Sequence, residues 1–253
     1  MTKFDHVLIT GASSGIGEAL ALCYAKKGVK RLSICGRNTE RLEKVAALCQ
    51  KEGVKTDAKI VDVADGVAVE KWIKEAEEKA PINLIIANAG VATLAETTEN
   101  VRRTFDINVG GVVNTVLPAI EIFRKSEKNR AKQIVIMSSI AGYHGMPTCP
   151  SYSASKACVK AWGEGLRLAL RHENIGVSVV CPGFVRSRIT DKNTCPMPFF
   201  WEAEKAAEVI FERVEKNVGL VAFPWQMRLA TWLGSILPNR LSDFVYSKLP
   251  YKV

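Results

Sequence analysis

Histidine is scarce in this chain, long apolar runs are missing, and the cysteines are badly placed for pairing. The 253 residues hold only His6, His144 and His172, none beside a cysteine. Cys23, Cys35, Cys49, Cys149, Cys158, Cys181 and Cys195 form an odd set with no C-x-x-C spacing. That excludes a Cys/His zinc module or a disulfide framework as the basis of the fold, and no metal site is expected. Cys35 and Cys181 stand in apolar strand-like runs, where a thiol behaves as a small buried hydrophobe. This usage suits a reducing, cytoplasmic compartment. No stretch of ~18 apolar residues is available to cross a bilayer. Met1-Thr2-Lys3-Phe4-Asp5 runs directly into strand-like sequence without an apolar signal core. Repeats, low-complexity linkers and composition breaks are also missing, so a single domain over 1–253 is expected.

What remains is an ordinary globular composition, 47% hydrophobic and 24% charged. The net charge is +9. The basic residues are scattered without interleaved aromatics, so solvated surface charge is the simpler reading and nucleic acid is not an expected partner. Short β-rich runs alternate with helical patterns. Strands are expected at His6–Thr10, Arg31–Cys35, Ala58–Val61, Asn83–Ala87, Gln133–Met137, Val177–Val180 and Leu220–Phe223. Helices are expected through Ala25 and over Thr39–Gln50, Val67–Lys79, Glu99–Arg124, Tyr152–Arg171 and Glu202–Glu215. The alternation predicts an α/β fold, a Rossmann-like doubly wound parallel sheet of about seven strands with helices on both faces. Ligands in such sheets bind beyond the carboxyl ends of the strands.

The first strand ends in Thr10-Gly11-Ala12-Ser13-Ser14-Gly15-Ile16-Gly17. Glycines between a strand and a helix allow a tight turn and close approach to a pyrophosphate, whose charge the helix N-terminus favours. Gly11, Ser13, Ser14, Gly15, Ile16 and Gly17 are therefore candidate dinucleotide contacts. The second strand ends at Gly36 and is followed by Arg37, where an NAD site would carry an acid for the ribose 2′-hydroxyl. A guanidinium there pairs with a 2′-phosphate, which favours NADP(H), with Asn38 or Arg41 assisting. The alternative is a solvated Arg37 in a permissive pocket. Farther on, Ser139 closes the fifth strand, and Tyr152 and Lys156 lie one helical turn apart on one face. The Lys156 ammonium is expected to draw the phenol below its reference value of ~10, toward a working general acid/base. The alternative is an incidental pair on an amphipathic helix.

Together these residues resemble the short-chain dehydrogenases/reductases over nearly the whole length up to about Phe223. Thr10–Gly17 looks like the family's T-G-x-x-x-G-x-G turn, Asn88-Ala89-Gly90 its N-A-G segment, and Pro182-Gly183 its P-G beside the nicotinamide. Asp62 and Val63 match the pair bordering adenine. The resemblance implies a catalytic set of Asn108, Ser139, Tyr152 and Lys156, with hydride exchange between nicotinamide and a carbonyl carbon and Tyr152 handling the proton. Lys156 would also bind the nicotinamide ribose, and Asn108 would hold a relay water. After Gly183 the family often has a threonine on the carboxamide; here Ser187, or the backbone of Val185, would take its place. A homo-oligomer, dimer or tetramer, is implied as well. A redox-inactive NADP-binding regulator on the same fold is the competing reading.

The substrate side is expected in a lid within residues 184–217. There Thr194, Cys195, Phe199, Phe200 and Trp201 suggest an apolar carbonyl or alcohol substrate, or else simply staple the loop to the core. His144, between Ser139 and Tyr152, is a substrate contact or incidental. In the tail, 224–253, Trp225, Leu229, Trp232, Leu233, Ile236 and Leu237 recur at helical spacing, followed by Leu241, Phe244, Val245 and Leu249. Docking on the protein's own body or on a sister subunit is one reading. A peripheral membrane contact is the other.

Overall fold

Every side chain of strand β1 (His6–Thr10) is buried, and their alternation sets the layering of the chain. Val7 and Ile9 enter one hydrophobic cluster, while Leu8 enters a second on the opposite face. The computed structural model describes residues 1–93, 95–127, 130–192 and 196–247. In chain order β1 is followed by α1 (Gly15–Lys26), β2 (Arg31–Gly36), α2 (Thr39–Lys51), β3 (Lys55–Ile60), α3 (Gly66–Lys79) and β4 (Leu84–Ala87). Then come α4 (Thr98–Phe105), a π-helical turn (Asp106–Gly110), α5 (Gly111–Lys125), β5 (Gln133–Met137) and α6 (Pro150–Ala169). The remainder is β6 (Gly176–Pro182), α7 (Ala203–Glu215), β7 (Leu220–Phe223), α8 (Trp225–Ser235) and α9 (Asn239–Tyr246).

The seven strands form one parallel sheet in the order β3-β2-β1-β4-β5-β6-β7. Helices α1, α2 and α7 cover one face and α3, α5 and α6 the other. Each fully buried Leu, Ile or Phe stabilises such layers by ~1.5–3 kcal/mol, and Tyr24, Phe123, Leu20 and Ile73 are among those fully enclosed. Cys35 and Cys181 are buried, and burial pushes their thiols up to about 12 and about 11.

Several elements differ from their sequence patterns. Strand β3 starts at Lys55, not Ala58, because it is the sheet edge and its side chains stay exposed or half-buried. Charge rather than apolar burial secures it: Asp57 pairs with Arg31 and with Lys79. The helix expected as one piece from Glu99 to Arg124 contains the π-turn. Helix α7 is no part of a lid: Ala206, Ala207, Ile210 and Val214 are buried, and Phe211 packs edge-on against Tyr24 at 5.1 Å. The tail does become helical, but it does not dock its apolar residues on the body; Trp225, Leu229, Trp232, Leu233, Ile236, Leu241 and Phe244 are exposed. Thr194, Cys195, Leu249 and the side chain of Val245 lie outside the described residues.

At the start of β1, the His6 ring bridges Ala80 O (2.7 Å from Nδ1) and Ser33 Oγ (2.9 Å from Nε2). Burial lowers its pKa to about 4, partly offset by the bond to the Ala80 carbonyl. The unfolded chain therefore takes up this proton near pH 6.5 while the folded chain does not. Stability from a neutral His6 is complete above that pH and is lost as pH falls toward 4. Urea unfolding at pH 7.5 and 4.5 should show a loss roughly 1–3 kcal/mol larger in the native chain than in His6→Gln. Equal losses would show that His6 does not govern this window.

Candidate active site

The sheet order reverses between β1 and β4, so the connections leaving these neighbouring strands diverge to opposite faces and open a crevice at their carboxyl ends. Two side chains tie its floor. Thr10 Oγ1 accepts hydrogen bonds from the main-chain N–H of Asn88 (3.0 Å) and Ala89 (3.1 Å). Asn88 Nδ2 donates to the carbonyls of Thr10 (2.9 Å) and Gly11 (3.2 Å). Above this tie lies a cleft of about 920 Å³. All the residues expected to touch a dinucleotide line it: Gly11, Ser13–Gly17, Arg37, Asn38, Asp62, Val63, Asn88–Gly90, Tyr152, Lys156, Pro182, Gly183 and Val185.

The turn at one end is shaped for a bulky anion. Gly11 and Gly15 have φ of +68° and +60°, a region side chains rarely adopt. A Cβ at Gly17 would stand 2.3 Å from the Gly11 carbonyl oxygen, so only glycine lets α1 start this close to β1. Ser14 caps α1 without a side-chain hydrogen bond, which leaves the first-turn N–H groups facing the cleft available to phosphate oxygens. This cradle fits a pyrophosphate. At the adenosine end, Arg37 Nη1 is 3.7 Å from the Asp62 carboxylate and both are half-exposed. Asn38 Oδ1 is engaged in capping α2 through the Arg41 N–H (2.9 Å), so only its amide nitrogen is left for a ligand. Arg41 lines the same cleft, and its Nε is buried without a hydrogen-bond partner.

At the other end, β5 delivers Ser139 and α6 delivers Tyr152 and Lys156. Gly142 lets the turn after β5 press on α6, since a Cβ there would lie 2.8 Å from the Lys156 carbonyl carbon. Ser138 Oγ donates to the Lys156 carbonyl at 2.7 Å and adds to the contact. Burial pushes the Tyr152 phenol up to about 12, and a hydrogen bond with Ser139 works against the rise. Burial lowers the Lys156 amine to about 8. Lys156 Nζ donates to the Met137 carbonyl at 2.9 Å and lies 5.8 Å from the centre of the Tyr152 ring. In the protein alone burial sets the direction of the phenol's shift, while the expected drop also counts the charge of a bound nicotinamide. Ser139, Tyr152 and Lys156 thus share one end of the cleft, a hydroxyl beside a phenol with an amine behind them, a set suited to proton transfer.

Asn108 lies behind the wall, not on it. Its Nδ2 donates to Val91 O (2.9 Å) and Ser155 Oγ (3.0 Å), and its Oδ1 accepts from Val91 N (2.8 Å). Both amide hydrogens are thus committed, and a relay water can use only the remaining lone pair of Oδ1 or a main-chain carbonyl of the π-turn. A Cβ at Gly90 would fall 3.2 Å from that Oδ1 and 3.3 Å from Lys156 Nζ, so the missing side chain keeps the space between them open.

At the substrate end the structure favours the staple over the lid and a structural role for His144 over a substrate contact. Phe199, Phe200 and Trp201 do not line the cleft. Trp201 stacks on Phe223 at 4.9 Å and exchanges main-chain bonds with Phe184 and Arg186, which staples the loop to β7. The Phe200 ring lies under the Arg186 guanidinium. His144 Nε2 is 3.2 Å from Ser242 Oγ on α9 and anchors the tail. Sequence reasoning missed Arg103, Arg188, Ile189 and Thr190 on the cleft wall. Thr190 fastens the loop after Gly183, accepting from the Ser187 N–H at 2.8 Å and bonding the carbonyl of Val185. No motif marks these four: the return of the loop over Gly15 brings Arg188, Ile189 and Thr190 to the cleft, and the placement of α4 brings Arg103.

Comparison with known proteins gives the geometry a family. The family model described as short chain dehydrogenase matches residues 5–196. An uncharacterized oxidoreductase of Myxococcus xanthus is 35% identical over 252 residues, covering 98% of each chain. The 11-beta-hydroxysteroid dehydrogenase-like 4A of Arabidopsis thaliana is 30% identical over 251 residues, covering 93% of this chain and 81% of its own. Among solved structures, a short chain dehydrogenase/reductase from Burkholderia phymatum in complex with NAD matches at TM-score 0.83 and 25% identity, over 100% of this chain and 99% of that one. A short-chain dehydrogenase from Sphingobium yanoikuyae in complex with NADPH matches at 0.79 and 26%, over 97% and 96%. With its glycine cradle, its Ser–Tyr–Lys wall and these relatives, the chain belongs to the short-chain dehydrogenase/reductase family of oxidoreductases.

Proposed function

We propose that the chain is an NADP(H)-dependent reductase or dehydrogenase that interconverts a carbonyl and an alcohol on an apolar small molecule. The observation that carries this reading is the sharing of one cleft by three features. These are the Gly11–Gly17 turn, the Arg37 and Arg41 guanidiniums, and the Ser139–Tyr152–Lys156 set. When bound, the nicotinamide nucleotide supplies or takes up the hydride. Ser139 Oγ holds the substrate oxygen, and Tyr152 delivers its phenolic proton there in reduction or accepts it in oxidation. Lys156, with a pKa lowered to about 8, is mostly protonated at neutral pH; its charge, absent from a neutral amine, favours the tyrosinate. Its amine would also hold the nicotinamide ribose. The half-exposed Arg37, with Arg41 beside it on the cleft wall, supports a 2′-phosphate as the distinguishing group, in keeping with the NADPH of the Sphingobium relative. The hydroxysteroid dehydrogenase name of the Arabidopsis relative supports an apolar alcohol or ketone.

Tyr152→Phe should retain NADPH binding by fluorescence titration and lose ~10²–10⁴-fold in kcat on a ketone the native chain reduces. Unchanged turnover would remove Tyr152 as the proton donor. Arg37→Asp should lower the ratio of kcat/KM for NADPH over NADH by at least ~10-fold, the scale of one charge-assisted hydrogen bond. A ratio that stays put would refute the 2′-phosphate contact.

A further inference from the structure

Helix α8 is built inside out. At about 100° per residue, Trp225, Leu229, Trp232, Leu233 and Ile236 fall within an arc of about 100°. In a helix docked on a core that stripe would be buried. Here all five side chains are 45–68% exposed. The opposite side carries small or flexible residues and faces the body. Gly234 is buried, and Met227 Sδ would stand 2.9 Å from a Cβ at Gly183. Helix α9 repeats the arrangement, with Ser242 turned inward to His144 and Leu241 and Phe244 exposed.

By sequence the tail's charges are mostly positive. Residues 224–253 contain Arg228, Arg240, Lys248 and Lys252 against a single acid, Asp243. Beside Trp225 runs a groove of about 720 Å³ along β7, lined also by Phe199, Lys205, Arg213 and Arg228, with no carboxylate among its described lining residues. None of these three cations forms an ion pair with a described residue. A second copy of the chain is a poor occupant. A two-fold interface would set Arg228 and Arg240 against their own mates with only Asp243 to compensate.

We propose that α8 and α9 seat this chain on an anionic phospholipid surface. The Trp225–Ile236 stripe enters the headgroup and acyl boundary, and Arg228, Arg240 and the Lys205–Arg213 groove meet the phosphates. The two tryptophans suit the headgroup level, being apolar with one hydrogen-bond donor. The inward side of α8 touches Gly183, so the helix that carries the seated face packs on the catalytic end of the cleft. Resting on the activity proposed above, this makes a carbonyl or alcohol dissolved in lipid the substrate class.

Flotation of the full chain on vesicles tests the seating without reference to turnover. Recovery with vesicles containing about a third phosphatidylglycerol should exceed that with pure phosphatidylcholine by at least ~10-fold and should fall on raising salt, since each cation contributes roughly fivefold. Leu229→Glu combined with Trp232→Glu should remove flotation, and Arg228→Glu with Arg240→Glu should reduce it by at least ~10-fold, with NADPH binding and the unfolding midpoint retained. Absence of flotation in the native chain would overturn the proposal, as would flotation indifferent to the glutamates. So would a concentration-dependent dimer abolished by the same glutamates without vesicle binding, which would assign the stripe to a second copy. Turnover of a water-soluble ketone by the glutamate variants keeps the oxidoreductase reading separate: its loss in the native chain would sink that reading and leave the vesicle result standing.

Discussion

The cleft depends on the tie between the ends of β1 and β4. Where neighbouring strands send their chains to opposite faces, main-chain groups are left without ladder partners, and a buried orphan costs about 1–3 kcal/mol. The Thr10 hydroxyl takes two of those N–H groups, and the Asn88 amide takes two carbonyls. One hydroxyl and one amide thus convert a topological necessity into a rigid floor. The glycine turn sits on one side of that floor, and the Gly90 gap beneath Lys156 opens on the other.

The candidate proton-transfer groups are held at a cost to their charged forms. Tyr152 is driven up and Lys156 down by the same burial, so the protein alone favours a neutral phenol beside an amine that titrates near neutrality. Preorganisation here is positional. Ser139, Tyr152 and Lys156 are oriented in advance, while the final electrostatic balance awaits the cationic or neutral ring of the nucleotide.

Much of this was legible in the chain because its central strands are buried on both faces and read as apolar runs. The Thr10–Gly17 turn and the Tyr152/Lys156 spacing were legible because tight backbone approach and helical periodicity demand particular residues at particular intervals. Strand β3 was misplaced since an edge held by Asp57 with Arg31 and Lys79 carries no apolar signature. Phe199, Phe200 and Trp201 were equally apolar as lid or as staple, and only the stacking of Trp201 on Phe223 separates the two. Arg188 and Thr190 reach the cleft through a loop path, and Arg103 through the packing of α4, neither of which a local pattern encodes. The direction of the phenol's shift in the protein alone was not legible, because desolvation depends on the enclosing walls and not only on the neighbour one turn away.

The close seating of Gly142 on α6 has a further consequence for how this enzyme family member can change its tastes. The turn bearing Ser139 and the helix bearing Tyr152 are locked by a missing side chain and by the Ser138 bond, so neither bank can widen without dragging the other. Variation in substrate size must therefore be absorbed on the far bank, by the loop that Thr190 pins and by the segment near Arg103, leaving the proton-handling wall unaltered as selectivity drifts.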